Sequence, residues 1–405
     1  MKKPSKPTRL PLSGKSASKP TRVTIKKLPT GVRGLDEILG GGIPEFSFNL
    51  IAGTPGCGKT TLAHQIVFAN ATVKKPALYF TVLGEPALKM LRYQQQYSFF
   101  DEAKLGRAIR FIDLSDVVSG QDLDAVLEEI VQQVKAANPG IVVVDSYRTA
   151  VRKALAGTSE RAMQSFIQRL AQFLTSWEAT TFLVGEYVPD EVRDNPVFTV
   201  ADGLIWLSQV AERNSVGRKL QIIKLRGQAS VPGLHTIRIT DDGMQAFSRT
   251  LGLGLIPLNP LRGRRRLSIG IPDLDKMMCG GLCEGDSLLV AGPSGTGKSA
   301  LATQFIAAGL REGEAAIMAL FEERPHGYAN RAAGLGLHFK TPLKQGKLEL
   351  LYLRPLDLSV DEITRAVLDA VERVGGKRLP TAPLVGFEMA LAPGLREDFR
   401  ESHSR

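Results

Sequence analysis

The feature that most constrains the fold of this chain is a glycine-rich octapeptide between an apolar run and a helix-like run. It fits the pattern G-x-x-x-x-G-K-[ST] at every fixed position, and its residues are Gly53, Thr54, Pro55, Gly56, Cys57, Gly58, Lys59 and Thr60. The preceding run, 48–52, predicts a buried strand, and the following run, 61–69, predicts a helix. A strand, this loop and a helix in that order are typical of a phosphate-binding loop.

The residue types of this loop suit a phosphate chain that carries a divalent cation. Glycines let successive N–H groups turn toward a phosphate, and the positive end of the following helix adds to the attraction. Lys59 is predicted to reach the β- and γ-phosphates, and the Thr60 hydroxyl is predicted to hold Mg²⁺. Thr61 completes the predicted nucleotide-binding residues. ATP with Mg²⁺ is therefore the expected ligand.

A second match to the pattern lies 239 residues further along the chain. Its predicted nucleotide-binding residues are Gly292, Ser294, Gly295, Thr296, Gly297, Lys298 and Ser299, with Ser299 also a predicted ligand of Mg²⁺. Gly31 and Gly270 are separated by the same 239 positions. A constant offset indicates a tandem duplication. We expect a first domain over 28–250, a linker over 251–266 and a second, incomplete domain over 267–405.

Composition indicates a soluble globular protein with a basic N-terminal arm. The hydrophobic and charged fractions are 43% and 23%, and neither a membrane span nor a secretory signal is recognisable. We therefore expect a cytoplasmic protein with no membrane contact. Residues 1–35 hold ten Lys and Arg and no acid, which leaves 42 basic and 41 acidic residues elsewhere. Residues 1–27 are predicted to be a disordered arm, and contact with nucleic acid is open but not favoured.

Alternating strand and helix patterns predict a mostly parallel sheet with helices on both faces and the ligand at the carboxyl ends of the strands. Asp145 follows the apolar run 141–144 and is predicted to hold Mg²⁺ through its hydration shell. Hydrolysis also needs a group that positions or deprotonates water. Glu85, just past the strand predicted at 77–83, is the candidate, and a surface carboxylate is the alternative.

From residue 28 to its end, the chain resembles the KaiC family of RecA-like ATPases. The resemblance is carried by the two loops, by Asp145-Ser146, and by Lys224-Leu225-Arg226-Gly227 followed by Ile239-Thr240-Asp241-Asp242-Gly243. It implies tandem RecA-like domains that bind ATP between the subunits of a ring-shaped homo-hexamer. It also implies that Lys224 and Arg226 reach the nucleotide of the neighbouring subunit. A KaiB-like or other signalling protein is the implied partner.

Two departures from the family pattern limit what the resemblance implies. Leu83 and Gly84 stand where the family has two adjacent glutamates, whereas the second copy keeps the pair as catalytic candidates Glu322 and Glu323. The second copy in turn lacks a counterpart of Asp145. At that place it reads Leu-Pro-Thr-Ala-Pro over 379–383, and two prolines argue against a central strand.

The sequence therefore predicts a slow Mg-ATPase in the first domain of an oligomer, with Glu85 acting in place of the missing pair. The second domain is expected to bind nucleotide weakly. Three alternatives stay open: a Ser/Thr autokinase of the same family, a DNA-dependent ATPase of the RecA or RadA type, and a nucleotide-sensing scaffold without turnover.

Overall fold

The structure is a computed structural model that describes residues 24–82, 87–119, 123–146, 160–192, 195–212, 215–249, 265–354 and 358–383. The strands of the first domain are β1 Lys27–Leu28, β2 Ile43–Pro44, β3 Phe48–Gly53, β4 Ala77–Thr81, β5 Ile109–Asp113, β6 Ile141–Asp145, β7 Thr180–Glu186, β8 Gly203–Glu212, β9 Ser215–Leu225, β10 His235–Thr240 and β11 Gly243–Phe247. Its helices are α1 Leu35–Ile38, α2 Lys59–Asn70, α3 Ala87–Gln94, α4 Ser115–Ser119, α5 Leu123–Ala137, α6 Glu160–Ser176 and α7 Pro196–Val200. Short 3₁₀ turns occur at Glu102–Lys104 and Pro189–Val192.

In the described part of this domain, nine strands form one sheet in the order β11-β10-β9-β8-β3-β7-β6-β4-β5. The six neighbouring strands β8, β3, β7, β6, β4 and β5 are parallel to one another. At the other end of the sheet, β9, β10 and β11 each pair antiparallel with the strand that precedes them in the chain. The predicted mostly parallel sheet is thereby confirmed. Strands β3, β4 and β6 are buried along their whole length, as expected for a sheet covered on both faces.

The two faces of the sheet bury separate apolar clusters because successive side chains of a strand point to opposite sides. On one face, Leu50 of β3 packs in a cluster with residues of α5 and α6. On the other face, Ile51 packs in a cluster with residues of α1 and α2. Because β3 lies in the middle of the sheet and both of its faces are covered by helices, the loop that follows it is anchored to a fully buried strand.

The second domain repeats only part of this architecture among its described residues. Its strands are β12 Arg266–Leu267, β13 Leu282–Cys283, β14 Ala316–Leu320, β15 Leu348–Tyr352 and β16 Thr381–Ala382, and its helices are α8 Pro272–Met277, α9 Lys298–Arg311, α10 Pro325–Gly334, α11 Lys340–Lys344 and α12 Val360–Val374. The sheet order β15-β14-β16 repeats β5-β4-β6 of the first domain. Between the two prolines of 379–383, the chain forms the two-residue strand β16, which pairs in parallel with β14. Among the described strands β16 lies at the edge of this sheet, so the prolines shorten the strand but do not exclude it.

Among the described residues, helix α12 of the second domain forms three ion pairs with the first domain. These pairs are Arg33 Nη2 with Asp369 Oδ2 at 2.6 Å, Arg238 with Glu362, and Arg365 Nη2 with Glu37 Oε2 at 3.0 Å. Glu362 also caps its own helix by accepting a hydrogen bond from the Ser359 N–H. Among all described helices, none combines the length and the apolarity that crossing a bilayer requires.

Candidate functional site

The first glycine-rich loop joins the end of β3 to the start of α2, at the carboxyl edge of the parallel strands. Gly58 precedes α2 with φ 104°, a left-handed conformation that favours glycine. A Cβ atom there would lie 2.7 Å from Ile239 Cδ1 and 2.9 Å from Met244 Cε. The loop is therefore packed against side-chain ends of β10 and β11, and any other residue at Gly58 would be strained by this positive φ. The Cys57 side chain is fully buried beneath the loop.

Lys59 lies in the first turn of α2 and is only 7% exposed. Its ammonium group donates a hydrogen bond of 2.7 Å to the Thr54 carbonyl oxygen at the other side of the loop. The same nitrogen lies 4.0 Å from Oε1 of Glu186, the last residue of β7. The lysine therefore spans the loop, with its charge at the place where a phosphate chain would enter.

Asp145 ends β6 and is 4% exposed. Its Oδ2 accepts two hydrogen bonds, one of 2.9 Å from the Thr60 hydroxyl and one of 2.8 Å from the Tyr79 hydroxyl. Burial raises the pKa of Asp145, and the hydrogen bonds from Tyr79 and Thr60 partly offset that rise. The carboxylate and the Thr60 hydroxyl are thus oriented together, as a cation site for oxygen ligands requires.

Tyr79 rests on a buried histidine of α2. The rings of His64 and Tyr79 are parallel within 4° and their centroids are 4.5 Å apart. Within the described part of the chain neither ring nitrogen of His64 has a hydrogen-bond partner. Burial lowers the pKa of His64 to about 3, and the nearby Thr60 carbonyl offsets this only partly. A neutral imidazole therefore supports the ring that orients Asp145.

The loop, Asp145 and the end of β7 enclose a cavity of about 520 Å³. The predicted site residues in its lining are Gly56, Gly58, Lys59, Thr60, Thr61 and Asp145. Its lining also includes residues that sequence reasoning missed: Tyr97, Ser146, Val184, Gly185, Glu186, Arg218 and Ile239. Glu186 lies two residues beyond the strand predicted at 180–184. A strand predicted to extend to this acidic residue would have identified it as a candidate. The described residues contain no group of three or more His, Cys, Asp or Glu placed to hold a metal.

Among the described residues, the predicted inter-subunit cations do not line this cavity, and neither do four predicted residues of the first loop: Gly53, Thr54, Pro55 and Cys57. The Lys224 ammonium donates to the Thr199 carbonyl oxygen at 2.9 Å, and Arg226 Nη1 lies 3.2 Å from Asp202 Oδ1. Burial lowers the pKa of Lys224, and the neighbouring Arg226 lowers it further. Glu85 lies outside the described residues, so its role stays a prediction.

The second glycine-rich loop has the same sequence pattern but little support from the sheet. The segment before it, from Asp286 to Ala291, is not a strand, and Leu289 is 72% exposed. Residues 292–297 and Ser299 are also exposed. Lys298 donates to the carbonyl oxygens of Gly292 and Pro293, at 2.8 and 2.6 Å. This loop is therefore open to solvent on the side where the first loop is packed.

The two predicted glutamates of the second domain follow β14. Glu322 is exposed, whereas Glu323 forms an ion pair with Arg331 of α10, with 2.8 Å between Oε2 and Nη2. Glu323 is therefore paired with an arginine of its own domain, and a catalytic role for Glu322 and Glu323 stays a prediction.

A mostly parallel sheet of this order, with a glycine-rich loop after its central strand and an acid at the end of β6, defines a phosphate-loop protein of the RecA-like class. A model of the KaiC ATPase family matches residues 28–250 and 267–376. The chain therefore belongs to the KaiC ATPase family.

Individual relatives agree with this assignment. The chain is 30% identical over 389 residues to a circadian clock oscillator protein KaiC of Parathermosynechococcus lividus, covering 93% of this chain and 70% of the relative. It is 29% identical over 392 residues to a protein of the same name from a Picosynechococcus strain, covering 93% and 73%. Circadian clock oscillator protein KaiC 1 of a Synechocystis strain is 29% identical over 396 residues, covering 94% and 73%.

Proposed function

We propose that the first domain binds Mg-ATP and hydrolyses it slowly within a homo-oligomeric ring. The observation that carries the proposal is the convergence of Lys59, Thr60 and Asp145 on one cavity at the carboxyl edge of the sheet. A triphosphate in this cavity would meet an ammonium group, the amino end of α2 and an oriented pair of oxygen ligands. ATP supplies a phosphate chain that fits all three groups.

Each of these residues has a separate task in the proposed complex. Lys59 would exchange its bond to the Thr54 carbonyl for the β- and γ-phosphates, which are stronger acceptors because they are charged. The Thr60 hydroxyl and Asp145 fit Mg²⁺, because their oxygens lie 2.9 Å apart and Mg²⁺ prefers oxygen ligands. Bound there, Mg²⁺ would neutralise charge on the phosphates. Tyr79 would keep the carboxylate oriented through its hydrogen bond to Oδ2.

The proposed ring rests on Lys224 and Arg226, the cations that the family resemblance assigns to a neighbouring subunit. Both lie outside the cavity of their own chain, bonded to Thr199 and Asp202. In a hexamer they would approach the nucleotide of the next subunit. We further propose that the assembly acts in signalling or clock-like regulation, with a KaiB-like or other signalling protein as partner.

The second domain would contribute weaker nucleotide binding. Its loop follows a segment outside the sheet, with Leu289 mostly exposed, so loop residues are not pre-arranged as in the first domain. Ordering the loop around a phosphate would cost conformational entropy that the first loop has already lost on folding.

The test compares Lys59→Ala with Lys298→Ala, which alter the same position of the two copies. We expect Lys59→Ala to abolish release of labelled phosphate from γ-labelled ATP, and Lys298→Ala to leave most of it. The opposite pattern would contradict the assignment. The same label on the protein would indicate an autokinase, and stimulation by single-stranded DNA would indicate a DNA-dependent enzyme. Sedimentation with ATP, with ADP and without nucleotide tests the ring.

A further inference from the structure

A carboxylate other than Asp145 lies in the first nucleotide cavity, at the end of β7. In the parallel pairing of β3 and β7, Glu186 is opposite Gly53, the first residue of the loop. The Tyr187 N–H, one residue further on, donates to the Gly53 carbonyl oxygen at 3.2 Å. This end of β7 is therefore fixed against the loop by the sheet itself, which is how a catalytic side chain is best positioned.

The two carboxylates of the cavity have different surroundings. Asp145 is buried and accepts hydrogen bonds from Thr60 and Tyr79, which suits a group that orients a cation. Glu186 has a side chain that is 57% exposed, and its Oε1 lies 4.0 Å from the Lys59 ammonium. It is thus accessible to water and close to the cation expected to hold the γ-phosphate. A group that activates the attacking water needs both properties.

We propose that Glu186 is the catalytic carboxylate that activates water in the first domain. This inference rests on the proposed ATPase function and assigns to Glu186 the task that the sequence suggested for Glu85. The water oxygen forms a bond to the γ-phosphorus as the bond from that phosphorus to the β,γ-bridging oxygen breaks. The bridging oxygen keeps the electron pair and leaves with ADP. Glu186 accepts the proton of the water and then releases it to solvent.

The distance to Lys59 is compatible with this task. At 4.0 Å the contact is longer than a hydrogen bond, so the ammonium can turn to a phosphate without breaking one to Glu186. The same geometry allows a competing role, in which the Glu186 carboxylate occupies the place of a phosphate beside Lys59 and thereby weakens nucleotide binding. The two roles predict different effects of removing the charge.

The experiment compares Glu186→Gln and Glu85→Gln with the unmodified full chain. Glu128→Gln, at an exposed position of α5, is the control for a neutralised surface carboxylate. Phosphate release from γ-labelled ATP and the dissociation constant of Mg-ATP are measured for each protein. We expect Glu186→Gln to lower turnover about 100-fold or more, the usual contribution of a general base. Its dissociation constant should stay within about threefold, Glu85→Gln should lose less turnover than Glu186→Gln, and the control Glu128→Gln should retain it.

Several results would overturn the proposal. Retained turnover in Glu186→Gln would exclude a catalytic role, and tighter ATP binding in that variant would identify an electrostatic stand-in. Loss of turnover in Glu85→Gln alone would return the role to Glu85. If Lys59→Ala loses turnover while Glu186→Gln keeps it, the ATPase function stands and only this inference fails. An unmodified protein without any turnover would overturn both.

Discussion

His64 makes the stability of the first domain depend on pH in a way that one substitution should remove. Its ring is fully buried, stacked on Tyr79, and burial lowers its pKa to about 3. In the unfolded chain the same ring titrates near 6.5. Because the folded pKa is the lower one, the stability that neutral His64 contributes is complete above pH 6.5 and is lost as the pH falls toward 3.

The size of the effect follows from the two pKa values. Between pH 7 and pH 5 the unfolded chain takes up a proton that the folded protein refuses, which lowers the free energy of unfolding by about 2 kcal/mol. His64→Phe keeps a ring against Tyr79 but cannot titrate. We therefore expect the loss of stability between pH 7 and pH 5 to be about 2 kcal/mol smaller in His64→Phe than in the unmodified protein.

Urea denaturation followed by tryptophan fluorescence measures this difference. The chain has two tryptophans, Trp177 and Trp206, and both lie in the first domain, so the signal reports on that domain. His338→Gln, at an exposed position of the second domain, is the control for replacing a histidine outside the first domain. An equal loss of stability in His64→Phe and the unmodified protein would refute the reasoning.

Three further predictions concern packing. Leu50 and Leu289 occupy the same position of the two copies, but Leu50 is buried and Leu289 is exposed. Leu50→Ala should therefore lower the free energy of unfolding by about 2–5 kcal/mol and Leu289→Ala by less than about 0.5 kcal/mol, as measured by circular dichroism. Equal costs would contradict the difference in burial. Arg378→Met should lower the stability of the second domain by about 1–3 kcal/mol in calorimetry, because the buried Glu314 carboxylate loses its buried partner and keeps only the more exposed Arg265. A smaller loss in the double variant with Glu314→Met is the check. Gly58→Ala should weaken binding of a fluorescent ATP analogue at least tenfold, because alanine is strained at φ 104° and would alter the loop; unchanged binding would contradict that conformation.

The sequence predicted the elements of the first domain well because its central strands are strongly apolar and helices α5 and α6 have a periodic apolar face. The helix expected over 61–69 is Lys59–Asn70, and the strand expected over 180–184 extends to Glu186. Because the predicted strand ended two residues early, Glu186 was not among the predicted site residues. Strand ends depend on pairing with neighbours, and local patterns do not record such pairing.

The parts of the site that could not be predicted depend on contacts between distant segments. The Tyr79 hydroxyl meets Asp145 across 66 positions of sequence, and nothing near Tyr79 distinguishes it from other aromatic strand residues. The second loop shows that a complete motif does not by itself predict a packed loop. Its motif is complete, yet the apolar residues before it, including Leu289, are exposed, because burial depends on which strands lie alongside.

The ion pairs of α12 make the attachment of the two domains a function of ionic strength. Arg33, with a side chain that is 60% exposed, is open to counterions, whereas Glu362 is shielded at 4%. Dissolved salt at 0.15 M screens exposed charges over about 8 Å, and more strongly as its concentration rises. The apolar clusters inside each domain do not weaken in this way. Salt concentration is therefore a means of loosening the joint between the domains while each domain keeps its fold.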